Sequence, residues 1–136
     1  MDNKDIKVVE AISMTNAMNR LTEREFSVAI VDLMLPNGIP GSPDPGFNII
    51  RELVANHHCT AVLVISGVDD EAVIKNALAL GANIYMVKGQ FGQDEFQEEM
   101  HRAFEYYDTH KAIEEAKCEA IAQNESVNVC KNLIGK

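Results

Sequence analysis

Three short apolar runs constrain the fold of this chain more than any other feature of its sequence. They cover residues 27–33 (SVAIVDL), 61–66 (AVLVIS) and 83–88 (NIYMVK), and each has a polar side chain at or next to its carboxyl end. A run that is apolar on both faces is typical of a strand in a parallel sheet that is covered by helices. The segments between the runs are long enough to hold the crossover helices that parallel strands require.

Helical patterns alternate with these runs. Asp69 or Asp70 can cap the third of the predicted helices, and Gly81 is a natural residue at which that helix ends. Apolar residues recur at helical spacing in residues 14–24, 47–56, 71–80 and 93–107, and helical character continues to residue 123.

Residues 6–11 (IKVVEA) predict one further strand, ahead of the first helix. Residues 36–46 hold all four prolines of the chain, so we expect a loop there. The resulting order β-α-β-α-β-α-β-α predicts an α/β fold with a doubly wound parallel sheet. Because ligands bind at the carboxyl ends of the strands in such sheets, we expect the functional site at that edge.

Size and charge exclude some classes of function. A length of 136 residues suits one domain, and 46% hydrophobic residues are typical of a globular protein. The net charge of −9 argues against nonspecific binding to nucleic acid or to an anionic membrane, since both need a positive surface. The N-terminus lacks an apolar leader and no apolar stretch approaches the length of a membrane span, so we expect a cytoplasmic protein.

Three side chains at neighbouring strand ends suggest phosphoryl chemistry. Asp32 can act as a nucleophile that forms an acyl phosphate. Lys88 can neutralise phosphoryl oxygens with its compact positive charge, and Ser66 can hydrogen-bond one of them. A divalent cation usually offsets charge in such a transfer.

These residues lie in motifs that resemble the receiver domain of two-component response regulators, a flavodoxin-like fold. Residues 32–36 (DLMLP) resemble the phosphoacceptor motif, Ser66 precedes a glycine as in the family, and residues 81–88 (GANIYMVK) resemble the GAxxYxxKP run. The resemblance implies that Asp32 is phosphorylated and that Ser66 and Lys88 contact the phosphoryl group. It also implies that Tyr85 is the switch aromatic, and that Asp32 and the backbone of Met34 are ligands for Mg²⁺.

The sequence departs from the family pattern at three places. Family members begin with a strand that ends in an acidic pair, which binds Mg²⁺, whereas residues 6–32 match only the second strand, second helix and third strand. The resemblance therefore implies a receiver that lacks its first β-α unit, in which Mg²⁺ binding is possible but in doubt. The expected glycine comes late, at Gly46, and Gly89 replaces the proline that normally follows Lys88.

The missing strand would lie in the middle of the sheet, so its loss has to be compensated. Residues 6–11 can pair directly with the Asp32 strand, the C-terminal segment can cover the bare face, or a second copy of the chain can do either. We favour a homodimer or C-terminal coverage, because a bare sheet face exceeds the apolar patches that monomers expose. We expect residues 1–107 to form the domain and residues 108–136 to form a helical extension and tail.

The leading hypothesis is a signalling module of a phosphorelay that acts by contact with a histidine kinase, phosphotransferase or other regulator. One alternative is a degenerate receiver that binds its partner without phosphorylation. Another is a fragment that folds only within a larger assembly. We do not expect an enzyme of the phosphatase or hydrolase type, because no second Asp follows Asp32 by two residues. His57 and His58 are better explained as a solvated pair at a helix end than as a metal site.

Overall fold

The computed structural model describes residues 6–33 and 44–123, without the side chains of Asp44 and of residues 120–123. Helices and strands alternate strictly along these residues. In chain order they are α1 (Met14–Glu23), β1 (Val28–Val31), α2 (Asp44–Asn56), β2 (Ala61–Ser66), α3 (Glu71–Leu80), β3 (Ile84–Val87) and α4 (Gln93–Gln123). All four predicted helices and three of the four predicted strands are confirmed.

The three strands form one parallel sheet in the order β1-β2-β3. The register pairs Val31 with Val64 and Ser66 with Val87, so the carboxyl ends of the strands lie at one edge. The predicted α/β architecture with a parallel sheet is thus confirmed, with β2 in the centre of the sheet.

Side chains alternate across the central strand because successive residues of a strand point to opposite faces. Val62 and Val64 pack into the main core with residues of α1, α2 and α3. Ala61 and Leu63, on the opposite face, are also fully buried, on the side that α4 contacts. Helices therefore cover both faces of β2, which explains why its sequence is apolar throughout.

Local signals fix two of the helix ends. The carboxylate of Asp70, rather than that of Asp69, caps α3 and accepts a hydrogen bond from the backbone N–H of Ala72 at 2.9 Å. At the other end, Gly81 has a φ of +121°, and a Cβ atom there would lie 2.6 Å from Val54 Cγ2. Glycine is required at this position by both its conformation and its packing against α2.

The predicted first strand is wrong. Residues 6–12 have no regular structure, so α1 is the first regular element of the described residues and the predicted β-α order loses its first strand. The β-branched run of residues 6–11 favours a strand, but a strand forms only where backbone groups of a neighbour are available for pairing. The predicted loop over residues 36–46 is also too long at its end, since α2 begins at Asp44.

The outer edge of β1 is open within the part of the chain that the structure describes. Its inner edge pairs with β2, and its outer edge borders a groove of about 240 Å³ that Val9, Ala11 and α1 also line. Ile30 is 51% exposed. The direct pairing predicted for residues 6–11 is therefore absent. Of the C-terminal segment that is predicted to give cover, residues 108–123 continue α4, and residues 124–136 lie outside the described ranges. Among the helices described, none has a stretch both long and apolar enough to cross a membrane.

Candidate functional site

The structure brings Asp32 and Lys88 together at the carboxyl edge of the sheet. Asp32 follows β1 directly and Lys88 follows β3 directly, while Ser66 ends β2 between them. Lys88 Nζ donates a hydrogen bond to Asp32 Oδ2 at 2.7 Å. The Asp32 side chain is 35% exposed and that of Lys88 54%. An accessible carboxylate with a cation in contact is an arrangement that can accept and hold an anionic group.

Ser66 is fixed between the two strands. Its side chain is fully buried, and its Oγ accepts a hydrogen bond from the backbone N–H of Val68 at 3.2 Å. The carbonyl of Ser66 accepts a hydrogen bond from the backbone N–H of Lys88 at 2.8 Å. The hydroxyl thus lies beneath the surface of the site, whereas Asp32 and Lys88 are open to solvent.

Tyr85 links β3 to the loop that follows β2. Its hydroxyl donates a hydrogen bond to the carbonyl of Val68 at 2.7 Å, so the hydroxyl lies near the carboxyl edge of the sheet. Burial raises the pKa of Tyr85, a hydrogen bond with Ser66 opposes this rise, and the negative charge of Asp32 adds to it. The pKa of Tyr85 therefore depends on both Ser66 and Asp32.

Two glycines shape the site in ways that the sequence alone does not reveal. A Cβ atom on Gly46 would lie 2.5 Å from Leu33 Cα and 3.2 Å from the carbonyl oxygen of Asp32, so the first turn of α2 packs directly on this segment. Gly89 has a φ of +85°, which the ring of a proline cannot adopt. The turn after Lys88 thus differs from the family pattern, and Lys88 nevertheless reaches Asp32.

Of the ligands predicted for Mg²⁺, the described residues include only the carboxylate of Asp32. Mg²⁺ prefers an octahedron of oxygen ligands. Asp32 belongs to no group of three His, Cys, Asp or Glu side chains close enough to share an ion, within residues 6–33 and 44–119. The predicted backbone ligand, Met34, lies outside the described residues. We therefore derive no chemical step through Mg²⁺.

A second polar cluster, which no sequence pattern predicts, lies at the opposite, amino-terminal end of the sheet. Glu25 Oε2 accepts a hydrogen bond from the Tyr107 hydroxyl at 2.8 Å and lies 3.0 Å from Lys111 Nζ. Nearby, the Cys59 thiol donates to Glu114 Oε2 at 2.7 Å. Tyr107, Lys111 and Glu114 lie on one face of α4 at helical spacing, but nothing in the sequence indicates what that face contacts.

Burial and local charge shift the pKa values in this cluster. Burial works to raise the pKa of Glu25, but hydrogen bonds from Lys111 and Tyr107 outweigh it and hold that pKa below its ordinary value. Burial, and then the hydrogen bond to Glu25 and its negative charge, raise the pKa of Tyr107 to about 12. Burial and the adjacent Glu114 carboxylate raise the pKa of Cys59 to about 11.

A parallel α/β sheet with a carboxylate, a hydroxyl and an ammonium at three adjacent strand ends defines the class of receiver-type domains. The sequence model of the response regulator receiver domain family matches residues 1–101, and the chain belongs to this family. The transcriptional regulatory protein MalR of Bacillus subtilis (strain 168) is 27% identical over 113 residues, which are 81% of this chain and 45% of MalR. The chain thus spans less than half the length of this relative.

Solved receiver structures share the fold. A CheY-like receiver domain protein from Methanospirillum hungatei JF-1 is 15% identical with a TM-score of 0.64, covering 78% of this chain and 80% of its own. The receiver domain of NtrX from Brucella abortus is 21% identical with a TM-score of 0.63, covering 76% and 82%. Receiver domains are generally non-enzymatic signalling modules that interact with histidine kinases or phosphotransferases, and they typically bind Mg²⁺ at acidic residues.

Proposed function

We propose that this chain is a phosphorelay module in which Asp32 accepts a phosphoryl group and the phosphorylation state controls contact with another protein. The observation that carries the proposal is the 2.7 Å contact between Lys88 Nζ and Asp32 Oδ2 at the open edge of the sheet. The contact holds a cation where the oxygens of an acyl phosphate on Asp32 would develop charge. Family membership supports this assignment.

The transfer follows from the chemistry of the groups present. A carboxylate oxygen of Asp32 attacks the phosphorus atom of a phosphohistidine, the phosphorus–nitrogen bond breaks, and its electron pair returns to the imidazole. Lys88 then moves from the carboxylate to the phosphoryl oxygens. Ser66 donates a hydrogen bond to another phosphoryl oxygen once its hydroxyl is uncovered, and Tyr85 reports that change by leaving the carbonyl of Val68.

The partners in this proposal are proteins. A histidine kinase or phosphotransferase supplies the phosphoryl group, and a regulator protein recognises the product. This role fits a cytoplasmic location and involves neither nucleic acid nor a membrane. A second copy of the chain is a further partner, because Ile30 is exposed beside the open edge of β1.

A degenerate receiver is the second candidate, and two observations favour it. Among the described residues, Asp32 belongs to no group of three His, Cys, Asp or Glu side chains that could share an ion, and the Ser66 side chain is fully buried. In this version the same surface binds its partner constitutively. Asp32 stays unmodified, and Lys88 neutralises its carboxylate.

Intact mass spectrometry after incubation with acetyl phosphate and Mg²⁺ separates the two candidates. We expect one phosphoryl adduct on the parent chain, none on Asp32→Asn, and an unchanged adduct on the matched control Asp69→Asn. Lys88→Met should fold normally, because an exposed ion pair contributes at most about 1 kcal/mol, but should be phosphorylated more slowly. A folded parent chain without an adduct would contradict the phosphorylation proposal and leave the degenerate receiver.

A further inference from the structure

The second cluster contains a set of side chains suited to a metal ion. His58 and Cys59 lie in the turn between α2 and β2, and Glu114 reaches this turn from α4. We propose that His58 Nε2, Cys59 Sγ and Glu114 Oε2 bind a divalent transition-metal ion of the zinc class, at the end of the sheet opposite Asp32. This site is independent of the proposed phosphorylation.

The distances between the three ligand atoms carry the proposal. Glu114 Oε2 lies 3.2 Å from His58 Nε2 and 2.7 Å from Cys59 Sγ, and all three atoms lie within 4.8 Å of one another. In a tetrahedral zinc site, metal–ligand bonds of about 2.0–2.3 Å place neighbouring ligand atoms about 3.3–3.7 Å apart. An ion therefore fits between these atoms after side-chain movements of about 1 Å.

The types of ligand define the class of metal. Imidazole nitrogen, thiolate sulfur and carboxylate oxygen are the three donors that zinc sites use. Mg²⁺ and Ca²⁺ prefer oxygen ligands, so the sulfur of Cys59 would not strengthen their binding. Three protein ligands leave a fourth position for water or another ligand. Two adjacent histidines do not form such a site by themselves. Glu114 is far from them in the sequence, and only the fold brings it close to His58 and Cys59.

The turn that carries two of the ligands is held firmly. Thr60 Oγ1 donates to the carbonyl of Phe26 at 2.6 Å, and the backbone N–H of Thr60 donates to the carbonyl of His57 at 3.0 Å. Cys59 itself is only 2% exposed. Because the backbone beneath the ligands is already ordered, metal binding would require little reorganisation. The ion would fasten α4 to the turn between α2 and β2.

Titration calorimetry of the full chain with Zn²⁺, after treatment with a chelator, tests the proposal. We expect one Zn²⁺ per chain, and a loss of affinity of about tenfold or more in each of Cys59→Ser, His58→Gln and Glu114→Gln. His101→Gln is the matched control, because His101 pairs with Glu105 on the exposed face of α4, and its affinity should be unchanged. Asp32→Asn should also be unchanged, which separates this site from the phosphorylation site.

Co²⁺ provides a second measurement that reports on the sulfur ligand directly. We expect thiolate-to-cobalt charge-transfer absorption in the parent chain and its loss in Cys59→Ser. Should Cys59→Ser fold poorly without metal, Glu114→Gln still decides the question, since that side chain is 46% exposed. Absence of Zn²⁺ binding, or equal affinity in the parent, Glu114→Gln and His58→Gln, would overturn the proposal and leave an ordinary hydrogen-bonded cluster.

Discussion

At the scale of single residues, Gly46 leaves no room for a side chain. A Cβ atom at this position would lie 2.5 Å from Leu33 Cα, a backbone atom that cannot move aside as a side-chain tip can. We therefore expect Gly46→Ala to lower the free energy of unfolding by about 1–3 kcal/mol, through overpacking beside the Asp32 segment. Urea denaturation measures this change.

Gly92→Ala is the control for this substitution, because a Cβ atom on Gly92 has no neighbour within 4 Å and its φ is not positive. It should leave the urea midpoint nearly unchanged. Equal midpoints for Gly46→Ala and Gly92→Ala would show that α2 does not pack against the Asp32 segment as closely as the structure places it.

Tyr107 makes the stability of the chain sensitive to alkaline pH. Burial and the contact with Glu25 raise its pKa from 10.0 to about 12, so the folded chain retains a proton that the unfolded chain releases above pH 10. The stabilisation is complete below pH 10 and declines as pH rises toward 12. We expect Tyr107→Phe to lose about 1 kcal/mol at neutral pH and to show a shallower alkaline decline than the parent chain.

Chemical denaturation across the alkaline range, in the presence of a chelator, measures both slopes. Tyr106→Phe is the matched control, since Tyr106 is the adjacent residue on α4 and its ring stacks on His110. Parallel alkaline slopes for Tyr107→Phe and the parent chain would contradict the raised pKa of Tyr107.

The residues of the site differ in how far the sequence could predict them. Asp32, Ser66 and Lys88 follow from the rule that strand ends meet at one edge of a parallel sheet, because each lies at the end of an apolar run. The packing of Gly46 and the cluster around Glu25 could not be predicted. They depend on contacts between segments far apart in the sequence, and the sequence pattern describes only each segment separately.

At the scale of elements, β2 and α3 match their predicted bounds residue for residue, whereas residues 6–11 do not form their predicted strand. Both strand predictions relied on a β-branched apolar run. β2 has a partner strand on either side, and residues 6–11 have none among the described residues. Whether an apolar run forms a strand therefore depends on a neighbouring strand with which it can pair, and the sequence of the run does not indicate such a neighbour.

The long α4 crosses the predicted boundary at residue 107 without a break. Its second half carries Lys111 and Glu114, which contact Glu25 and Cys59 respectively. We expect a chain ending at residue 107 to fold, but with a free energy of unfolding lower by about 1–3 kcal/mol, because Glu25 loses its ion pair with Lys111 and the Cys59 thiol loses its hydrogen bond to Glu114. Urea denaturation compares it with a chain ending at residue 123, which retains both contacts and should be the more stable of the two.

An equal midpoint for the two truncated chains would show that residues 108–123 are an independent extension. That outcome would support the division at residue 107 that the sequence predicts. A shorter chain that fails to fold would instead make α4 part of the domain over its whole length.

At the scale of the whole molecule, we expect two copies of the chain to associate through the outer edge of β1. Among residues 6–33 and 44–123 this edge has no partner strand, an unpaired edge can pair with another chain, and Ile30 adds an exposed apolar side chain beside it. We expect sedimentation velocity to show a concentration-dependent dimer that strengthens with salt, since each copy carries a net charge of −9. Ile30→Lys should weaken the dimer by roughly a hundredfold or more, because a charge buried without a partner costs several kcal/mol.

Leu78→Lys provides the control for this substitution. Leu78 is exposed to a similar degree but lies on α3, away from β1, so the dimer should persist in this variant. A parent chain that sediments as a monomer at every concentration and salt would rule out the dimer.

The central strand also determines how far apart the two polar clusters lie. The six residues of β2, at about 3.3 Å each, separate its ends by about 20 Å. At physiological ionic strength the Debye length is about 8 Å, so a charge added at one end is largely screened from the other. Phosphorylation and metal binding should therefore be thermodynamically additive. Any cooperativity between them would have to be transmitted mechanically, by a displacement of β2 or α4, rather than through the electric field.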